Sequence, residues 1–335
     1  MVSDFNLTIA SDSLGLSQPL TKLVETVARG VGILYEPIHK KRMLKVTAEE
    51  IQTIADVCQK NLQIPIDYEK DGVVISTNKQ IADLAKRAML RNLAQEINKQ
   101  QNIEGILEYT KQVLENETEV SKEPVSQTWL SNFFEAAGHV EEEDLQKIWG
   151  KLLAGEIKQP NSYSLRTLNL LKSMTTKEAQ TFQFLSQFVI ISGDKYIIPS
   201  NKNLFQKYHM DYGKILLLDE CGLVNAQGSL HLTFASGPRS AMSLHNFDLL
   251  AQLCENADIN FYLQIDMYPL TSAGRDLFNI MEKKPNHNFF QDYIKQIEEQ
   301  NKNISALIYK KELITGKDGK MIEHFDIQHP IYPEK

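Results

Sequence analysis

Apolar residues recur at helical spacing through the first part of the chain. Between Pro19 and about Met43 they stand three and four positions apart, which is the period of an amphipathic helix. Further helices are predicted over residues 47–61 and over residues 77–116, the latter as one long helix or as two joined near its middle. Residues 65–76 separate these two and contain an Asp-Gly turn signal with a short extended piece. The front of the chain is therefore expected to be helical.

A compact run of helices follows the charged, Pro-ended stretch at residues 117–124. The spacing predicts helices over residues 124–137, 141–154, 164–174 and 175–188. Gly155 is expected to end the second of them, because glycine is common just past the end of a helix. Thr175 and Glu178 have the spacing of a capping box and are expected to open the fourth.

Alternating apolar and polar residues indicate strands in the last part of the chain. The predicted strands cover residues 196–198, 230–234 and 261–267, and a hairpin over residues 304–311 and 321–327 turns at residues 316–319. Helices are predicted between them, over residues 211–221, 247–255, 271–281 and 289–300. This part of the chain is therefore expected to mix helices with strands.

These elements predict a fold that is mainly α with a smaller α+β part. A helical N-terminal region is expected to precede a helical bundle and a winged-helix-like module. The predicted limits are residues 1–116 for the helical N-terminal region, 117–124 for a linker, 125–174 for the helical core segment, 175–282 for the winged-helix-like module, and 283–335 for a C-terminal helix and hairpin.

Composition and charge describe an ordinary globular chain with a mild acidic excess. The 335 residues include 36 Lys and Arg against 43 Asp and Glu, for a formal net charge of −7. The N-terminal residues lack a basic stretch followed by an apolar run, and no apolar run approaches the roughly 20 residues of a membrane-spanning helix. Three widely spaced cysteines are typical of reduced thiols. We therefore expect a cytoplasmic protein without a transmembrane span.

Motifs that carry chemistry are missing from the sequence. It contains no GxSxG, no P-loop, no GxGxxG and no HExxH. The glycine pair Gly30 and Gly32 follows a helical pattern and is better explained by a close helix crossing or by a bend. His324, Asp326 and His329, with His287 further away, are expected to be polar residues on a solvated strand and tail rather than metal ligands. We therefore name no catalytic residues and expect no metal and no cofactor. An enzyme stays an open alternative, because catalytic residues that are brought together by folding leave no local motif.

Aromatic residues are most concentrated at Trp129, Phe133 and Trp149, with Phe134 beside them. Trp129 and Phe133 lie four positions apart and therefore share one face of a helix. This cluster has two interpretations, a surface that binds a partner or a core between helices. The core is the favoured interpretation.

Two phrases in the last part of the chain resemble a winged-helix fold. LLLDECGLV at residues 216–224 is similar to the end of a helix that leads into a wing, and MYPLTSAGRDLFNIM at residues 267–281 is similar to the phrase that opens the last helix. Gly222 is expected to end the first of these helices and Thr271 to cap the second. About 40 residues, with a predicted helix among them, separate the two phrases. Residues 175–281 hold seven basic and ten acidic side chains, which disfavours DNA as the partner of this module.

A longer resemblance covers most of the chain. The phrase SQPLTKLVETVARGVGILYEP at residues 17–37 and the segment of residues 125–174 are similar to a bacterial family catalogued as a domain of unknown function, DUF2806. The resemblance extends to LTSAGRDLF near residue 277. It implies a bacterial, cytoplasmic protein with no established catalytic set, and such families are associated with phage defence or stress response.

Three functional hypotheses follow. The first is a non-enzymatic interaction or regulatory protein that binds a protein partner or forms a homo-oligomer. The second is a DNA-binding regulator that uses the winged helix, with Lys202, Lys207 and Lys214 as its contacts. The third is a peripheral membrane protein, in which residues 19–43 lie on the membrane and Lys40, Lys41 and Arg42 meet anionic headgroups.

Overall fold

The computed structural model describes residues 16–31, 66–69, 72–75, 84–226, 231–235, 241–255, 262–302, 304–315 and 321–333. Contacts along the chain divide it into two compact units, a front unit of residues 1–172 and a rear unit of residues 173–335. The predicted helix over residues 47–61 and the basic triplet Lys40, Lys41 and Arg42 lie outside the described residues. The predicted domain limits remain predictions.

Helices dominate the described part of the front unit, as their apolar spacing predicts. They are α1 (Gln18–Val31), α2 (Leu84–Leu114), α3 (Gln127–Ala137), α4 (Glu143–Lys158) and α5 (Leu165–Ser173). A small hairpin of β1 (Ile66–Glu69) and β2 (Gly72–Ile75) occupies the predicted turn segment, with Ile66 opposite Ile75. The long polar stretch forms one helix, α2.

The core of the front unit forms where α1 and α4 pack against α2 and α3. Gly150 of α4 allows a close approach to α2, because a Cβ at this position would lie 2.6 Å from Cβ of Tyr109 and 3.0 Å from the carbonyl oxygen of Ile106. Gly30 of α1 lies against the ring of Phe134 in the same way. The close helix crossing predicted for this glycine is therefore present.

The predicted end of α4 at Gly155 is wrong, because the helix continues to Lys158. Gly155 lies inside the last turns, where a Cβ would come 2.5 Å from the hydroxyl oxygen of Tyr163. The glycine therefore makes room for a packed tyrosine and does not end the helix. One residue later, the buried carboxylate of Glu156 accepts hydrogen bonds from the backbone N–H groups of Asn161 (2.6 Å) and Tyr163 (3.0 Å).

The rear unit combines helices with one large antiparallel sheet. Its helices are α6 (Thr176–Ser186), α7 (Lys202–Lys207), α8 (Tyr212–Glu220), α9 (Ser272–Ile280) and α10 (His287–Gln300). Its strands are β3 (Ile190–Ser192), β4 (Lys195–Pro199), β5 (His231–Ala235), β6 (Ala241–His245), β7 (Leu249–Glu255), β8 (Tyr262–Pro269), β9 (Ile304–Thr315) and β10 (Met321–Phe325). The described strands lie in the order β10-β9-β7-β6-β3-β4-β8-β5.

The predicted helix over residues 247–255 is wrong, because residues 249–255 form strand β7. Leu249, Ala251 and Leu253 are buried while the residues between them are half-buried, which is the alternation of a strand. Pairing with β6 on one side and β9 on the other satisfies the backbone of β7. The segment between β5 and β8 therefore contributes a hairpin to the sheet where a helix was expected.

Predicted helix caps are confirmed in the rear unit. Thr175 and Glu178 form a reciprocal capping box at the start of α6. Thr271 caps α9 by accepting the backbone N–H of Gly274 at 3.1 Å. After α8, Gly222 adopts φ of +72°, a conformation that glycine reaches without strain. These residues fix where α6 and α9 begin and where the chain turns after α8.

The fold class is α+β with helices dominant, as the sequence predicts in outline. Within the rear unit, the chain runs through α6, the hairpin β3–β4, α7, α8, β5, the hairpin β6–β7, β8 and α9, and β8 lies between β4 and β5 in the sheet. Across the described residues, no helix is both long enough and apolar enough to cross a membrane.

Candidate interaction surface of the rear unit

The aromatic residues predicted as a possible partner surface form part of the front core. Trp129 is 3% exposed, and Phe133 and Trp149 are fully buried. The ring of Phe133 stacks on Trp129 at 5.1 Å and lies 5.3 Å from Trp149. Neither indole N–H has a hydrogen-bond partner among the described residues. The structure thus brings the three side chains together, but it buries them beyond the reach of a partner protein.

Helices α7 and α8 carry the three lysines predicted as possible DNA contacts. The side chain of Asn201 caps α7 through the backbone N–H groups of Asn203 and Leu204, and Asp211 caps α8 through that of Lys214. These caps fix where α7 and α8 begin, and Lys202 is the first residue of α7. All three side chains belong to the rear unit.

Two of the three lysines are paired with carboxylates. Lys207 lies 2.5 Å from Asp292 of α10, and Lys214 forms an ion pair with Asp211. Burial alone raises the pKa of Asp292, but hydrogen bonds from Lys207 and Tyr208 lower this pKa below its usual value. The hydrogen bond from Lys214 lowers the pKa of Asp211 in the same direction. Both carboxylates therefore stay ionised at neutral pH and offset the charge of their lysines.

Lys202 makes no ion pair within the described part of the chain. Its side chain is exposed at the first position of α7. The three lysines therefore leave one uncompensated cation on this surface, where a DNA-binding surface would carry several.

The solvent face of α8 is apolar where a basic face would be needed for DNA. Tyr212 is 49% exposed and Leu216 is 41% exposed, and they share one face because they lie four positions apart. Ile215 and Leu218, on the other side of the helix, are fully buried. Residues 211–221 include three acids and one lysine. The exposed face of α8 is thus an apolar patch with an acidic border.

Sequence reasoning missed Tyr212 and Leu216, although a signal was present. Residues 215–218 are four consecutive apolar residues, and such a run covers more than one face of a helix. The described residues of the rear unit cover one of these faces and leave another exposed. Burial shows that this is the face of Leu216.

Reactive groups are shielded or paired in the described part of the rear unit. Burial raises the pKa of Cys221 to about 12, and a hydrogen bond to Glu178 adds to this effect. This thiol stays protonated at neutral pH, which makes it a poor nucleophile. His287 pairs with Asp248 at 2.8 Å, and no cluster of three metal ligands occurs among the described residues.

His329 is held by Asp326 at 2.8 Å, while His324 lies exposed on β10. His324, Asp326 and His329 are the residues that the sequence analysis weighed as metal ligands and interpreted as solvated polar residues. Their arrangement in the structure is an exposed ion pair beside a strand.

Fold and surface together define a class of α+β protein with an apolar, acid-bordered helix exposed on its rear unit. Residues 86–294, more than half of the chain, match the family described as "Protein of unknown function (DUF2806)". The chain belongs to this family. Comparison with curated proteins and comparison with solved structures found no match.

Proposed function

We propose that this chain is a non-enzymatic interaction or regulatory protein whose rear unit carries a winged-helix module, over residues 175–282, that contacts another protein. The observation behind the proposal is the exposed pair Tyr212 and Leu216 on α8. In a winged helix, the second helix of the helix-turn-helix pair faces the partner. Here α8 holds this place in the chain order, and its outward side chains suit a protein better than a nucleic acid.

The topology of the rear unit supports the winged-helix assignment. Helix α6 leads through the short strand β3 into β4. Two short helices, α7 and α8, follow, and then the antiparallel strands β5 and β8, with β6 and β7 between them in the chain. Strand β8 pairs with both β4 and β5, as the last wing strand does in that fold. The hairpin β6–β7 is an insertion between the two wing strands.

The acidic border of α8 indicates what kind of partner fits. Asp211 and Glu220 flank the apolar pair at the two ends of the helix. A partner with an apolar patch bordered by Lys and Arg would complement this surface. A second copy of the chain would bring the same acids face to face, so we infer a different protein. We place the protein in the cytoplasm, because its three cysteines are widely spaced.

A DNA-binding role has less support. Lys207 and Lys214 are neutralised by Asp292 and Asp211, which leaves Lys202 alone. The membrane hypothesis also loses support on residues 18–31, because Leu23, Val24 and Val27 of α1 are buried within the front unit. A role in phage defence or stress response rests on no described residue and is not part of the proposal.

Site-specific crosslinking tests the proposal directly. Tyr212 is replaced by benzoylphenylalanine in the full chain, and the crosslinked peptide is identified in cells of the source organism. Lys195, exposed in β4, takes the same replacement as the control. We expect one partner protein at position 212, crosslinked through an apolar segment flanked by basic residues, and its loss in the variant Leu216→Ser. Crosslinks to a second copy alone, or to nothing specific, would overturn the proposal.

Duplex DNA provides the second arm of this test. We expect the full chain to show no salt-dependent binding to DNA between about 50 and 200 mM salt. Over this range the affinity of a protein that makes several phosphate contacts falls by about three to five powers of ten. Binding that weakens with salt and disappears on changing Lys202, Lys207 and Lys214 to Glu would favour the DNA-binding regulator instead.

A further inference from the structure

A polar groove of about 330 Å³ lies in the rear unit, apart from the exposed face of α8. The start of α7, the middle of β8 and the C-terminal half of α10 form its walls. Thirteen described residues line it, and six of these are Asn or Gln. A groove of this size holds a small molecule. Its amide-rich lining indicates a polar one.

The end of β4 creates the groove. This strand stops at Pro199, opposite Met267, while β8 extends several residues further. The backbone of Asp266 still faces the β4 side, since its carbonyl oxygen accepts a hydrogen bond from the backbone N–H of Ser200 at 2.8 Å. Backbone groups of a strand alternate in direction, so those of Gln264 face the same side, past the end of β4. Gln264 therefore offers one backbone donor and one backbone acceptor to a ligand.

Tyr293 of α10 supplies a buried polar group at the groove. The residue is 5% exposed, and its ring stacks on Phe289 at 6.3 Å with an interplanar angle of 4°. Its hydroxyl makes no hydrogen bond with any described residue, yet it is not sealed from solvent. Burial, with the nearby charge of Asp266, raises the pKa of Tyr293, so the hydroxyl keeps its proton. An unused donor is thus fixed at the groove wall.

The charges of the groove balance. Lys202 and Asp266 are its charged side chains among the described residues, and both are exposed to solvent. Lys202 has no ion-pair partner in the described chain, and Asp266 has only a long contact of 3.5 Å with the amide of Gln264. One free ammonium and one free carboxylate therefore face a lining that is otherwise neutral.

This lining excludes several classes of ligand. Nucleotides and sugars are commonly held by an open aromatic face, but Tyr293 is the aromatic residue of this groove and its ring is stacked on Phe289. A phosphate would find a single cation, Lys202, and Asp266 would repel it. An apolar molecule would leave the amide groups without partners.

We propose that the groove binds a small zwitterion, a free amino acid or a short peptide with free termini, whose carboxylate pairs with Lys202 and whose ammonium pairs with Asp266. The side-chain amides and the backbone of Gln264 hold the polar groups between the two charges. The hydroxyl of Tyr293 donates the remaining hydrogen bond. This assignment does not depend on the surface of α8.

Calorimetric titration of the full-length protein tests the proposal. The probes are the twenty free amino acids and a set of di- and tripeptides, and the N-acetylated, C-amidated forms of the same compounds serve as uncharged controls. We expect at least one free compound to bind and its capped form to bind at least about tenfold more weakly, since both charge-assisted contacts are lost. Which of the two sets binds distinguishes a free amino acid from a peptide.

Variants locate the site. Lys202→Gln and Asp266→Asn are each expected to weaken binding about tenfold or more, and Tyr293→Phe by several-fold. Lys177→Gln and Asp194→Asn make the same changes at exposed positions of the rear unit and are expected to bind like the wild type. Circular dichroism confirms that each variant is folded. Absence of binding by any free compound, equal binding of the capped forms, or unchanged binding in all three groove variants would each overturn the proposal.

Discussion

Replacing Gly274 by alanine tests whether α9 approaches the preceding chain as closely as the structure indicates. A Cβ at this position would lie 1.9 Å from the carbonyl oxygen of Leu223, well inside van der Waals contact. The same oxygen accepts the backbone N–H of Thr271 at 3.0 Å, and the Thr271 hydroxyl donates to Gly222 at 2.6 Å. Leu223 is also fully buried. The backbone around Leu223 therefore has no room to yield without breaking the cap of α9.

Two opposing effects set the magnitude for Gly274→Ala. Alanine gains about 1 kcal/mol over glycine inside a helix. Forcing a methyl group against a packed backbone costs about 1–3 kcal/mol, and a disturbed N-cap costs about 1 kcal/mol more. We therefore expect a net loss of about 2 kcal/mol. At a slope of about 2 kcal/mol per molar urea, the unfolding midpoint of the rear unit falls by about 1 M.

Urea unfolding followed by circular dichroism measures this change. Tryptophan fluorescence gives an internal reference, because Trp129 and Trp149, the two tryptophans of the chain, both lie in the front unit. Gly213→Ala is the matched control, since its Cβ would meet one side-chain oxygen, the capping Oδ1 of Asp211 at 2.9 Å, and no backbone atom of another element. We expect this control to change stability by less than about 1 kcal/mol. A midpoint for Gly274→Ala that equals or exceeds that of the wild type would refute the reasoning.

Three further predictions concern buried groups. Glu156→Ala is expected to cost about 3 kcal/mol, because two backbone N–H groups lose their acceptor. Burial raises the pKa of Glu156 above its usual value. The stability that this group contributes is therefore greatest below pH 4.5 and is lost as the pH rises through the pKa of the folded state. The urea midpoint of Glu156→Gln should lack this decline with pH. At pH 8, iodoacetamide should alkylate Cys221 at least about tenfold more slowly in the folded than in the unfolded chain, and Glu178→Gln should accelerate the reaction, whereas equal rates would contradict the high pKa. Phe133→Ala should cost about 3–5 kcal/mol by the fluorescence transition, and a change under 1 kcal/mol, roughly that of a surface site, would contradict its place in the core.

Sequence reasoning predicted those elements whose signals are local. The Thr175–Glu178 capping box, the Thr271 cap and the amphipathic spacing of α3 each depend on a few neighbouring residues. Strand β7 is predicted as a helix because Leu249, Leu250 and Leu253 have helical spacing, while Leu249, Ala251 and Leu253 have the spacing of a strand over the same short run. Pairing with β6 and β9 makes this segment a strand, and β9 begins 49 residues after β7 ends.

The candidate sites depend on contacts between distant residues. Lys207 is neutralised by Asp292, which is 85 positions away in the sequence. Lys202, Asp266 and Tyr293 come from three elements, and they line one groove because β4 ends early and α10 packs against α7. No local pattern encodes such a groove.

Lys207 and Lys214 are disfavoured as DNA contacts because carboxylates lie beside them, and not because the ion pairs are strong. The Lys207 side chain is 60% exposed, and an exposed pair contributes less than about 1 kcal/mol, so it does not lock the lysine in place. A DNA phosphate could therefore displace Asp292 from Lys207. The freed carboxylate would then stay close to that phosphate, and the repulsion would cancel most of the gain. Neutral, apolar contacts escape this cancellation. The partner proposed above would therefore gain more by covering Tyr212 and Leu216 than by pairing with these lysines.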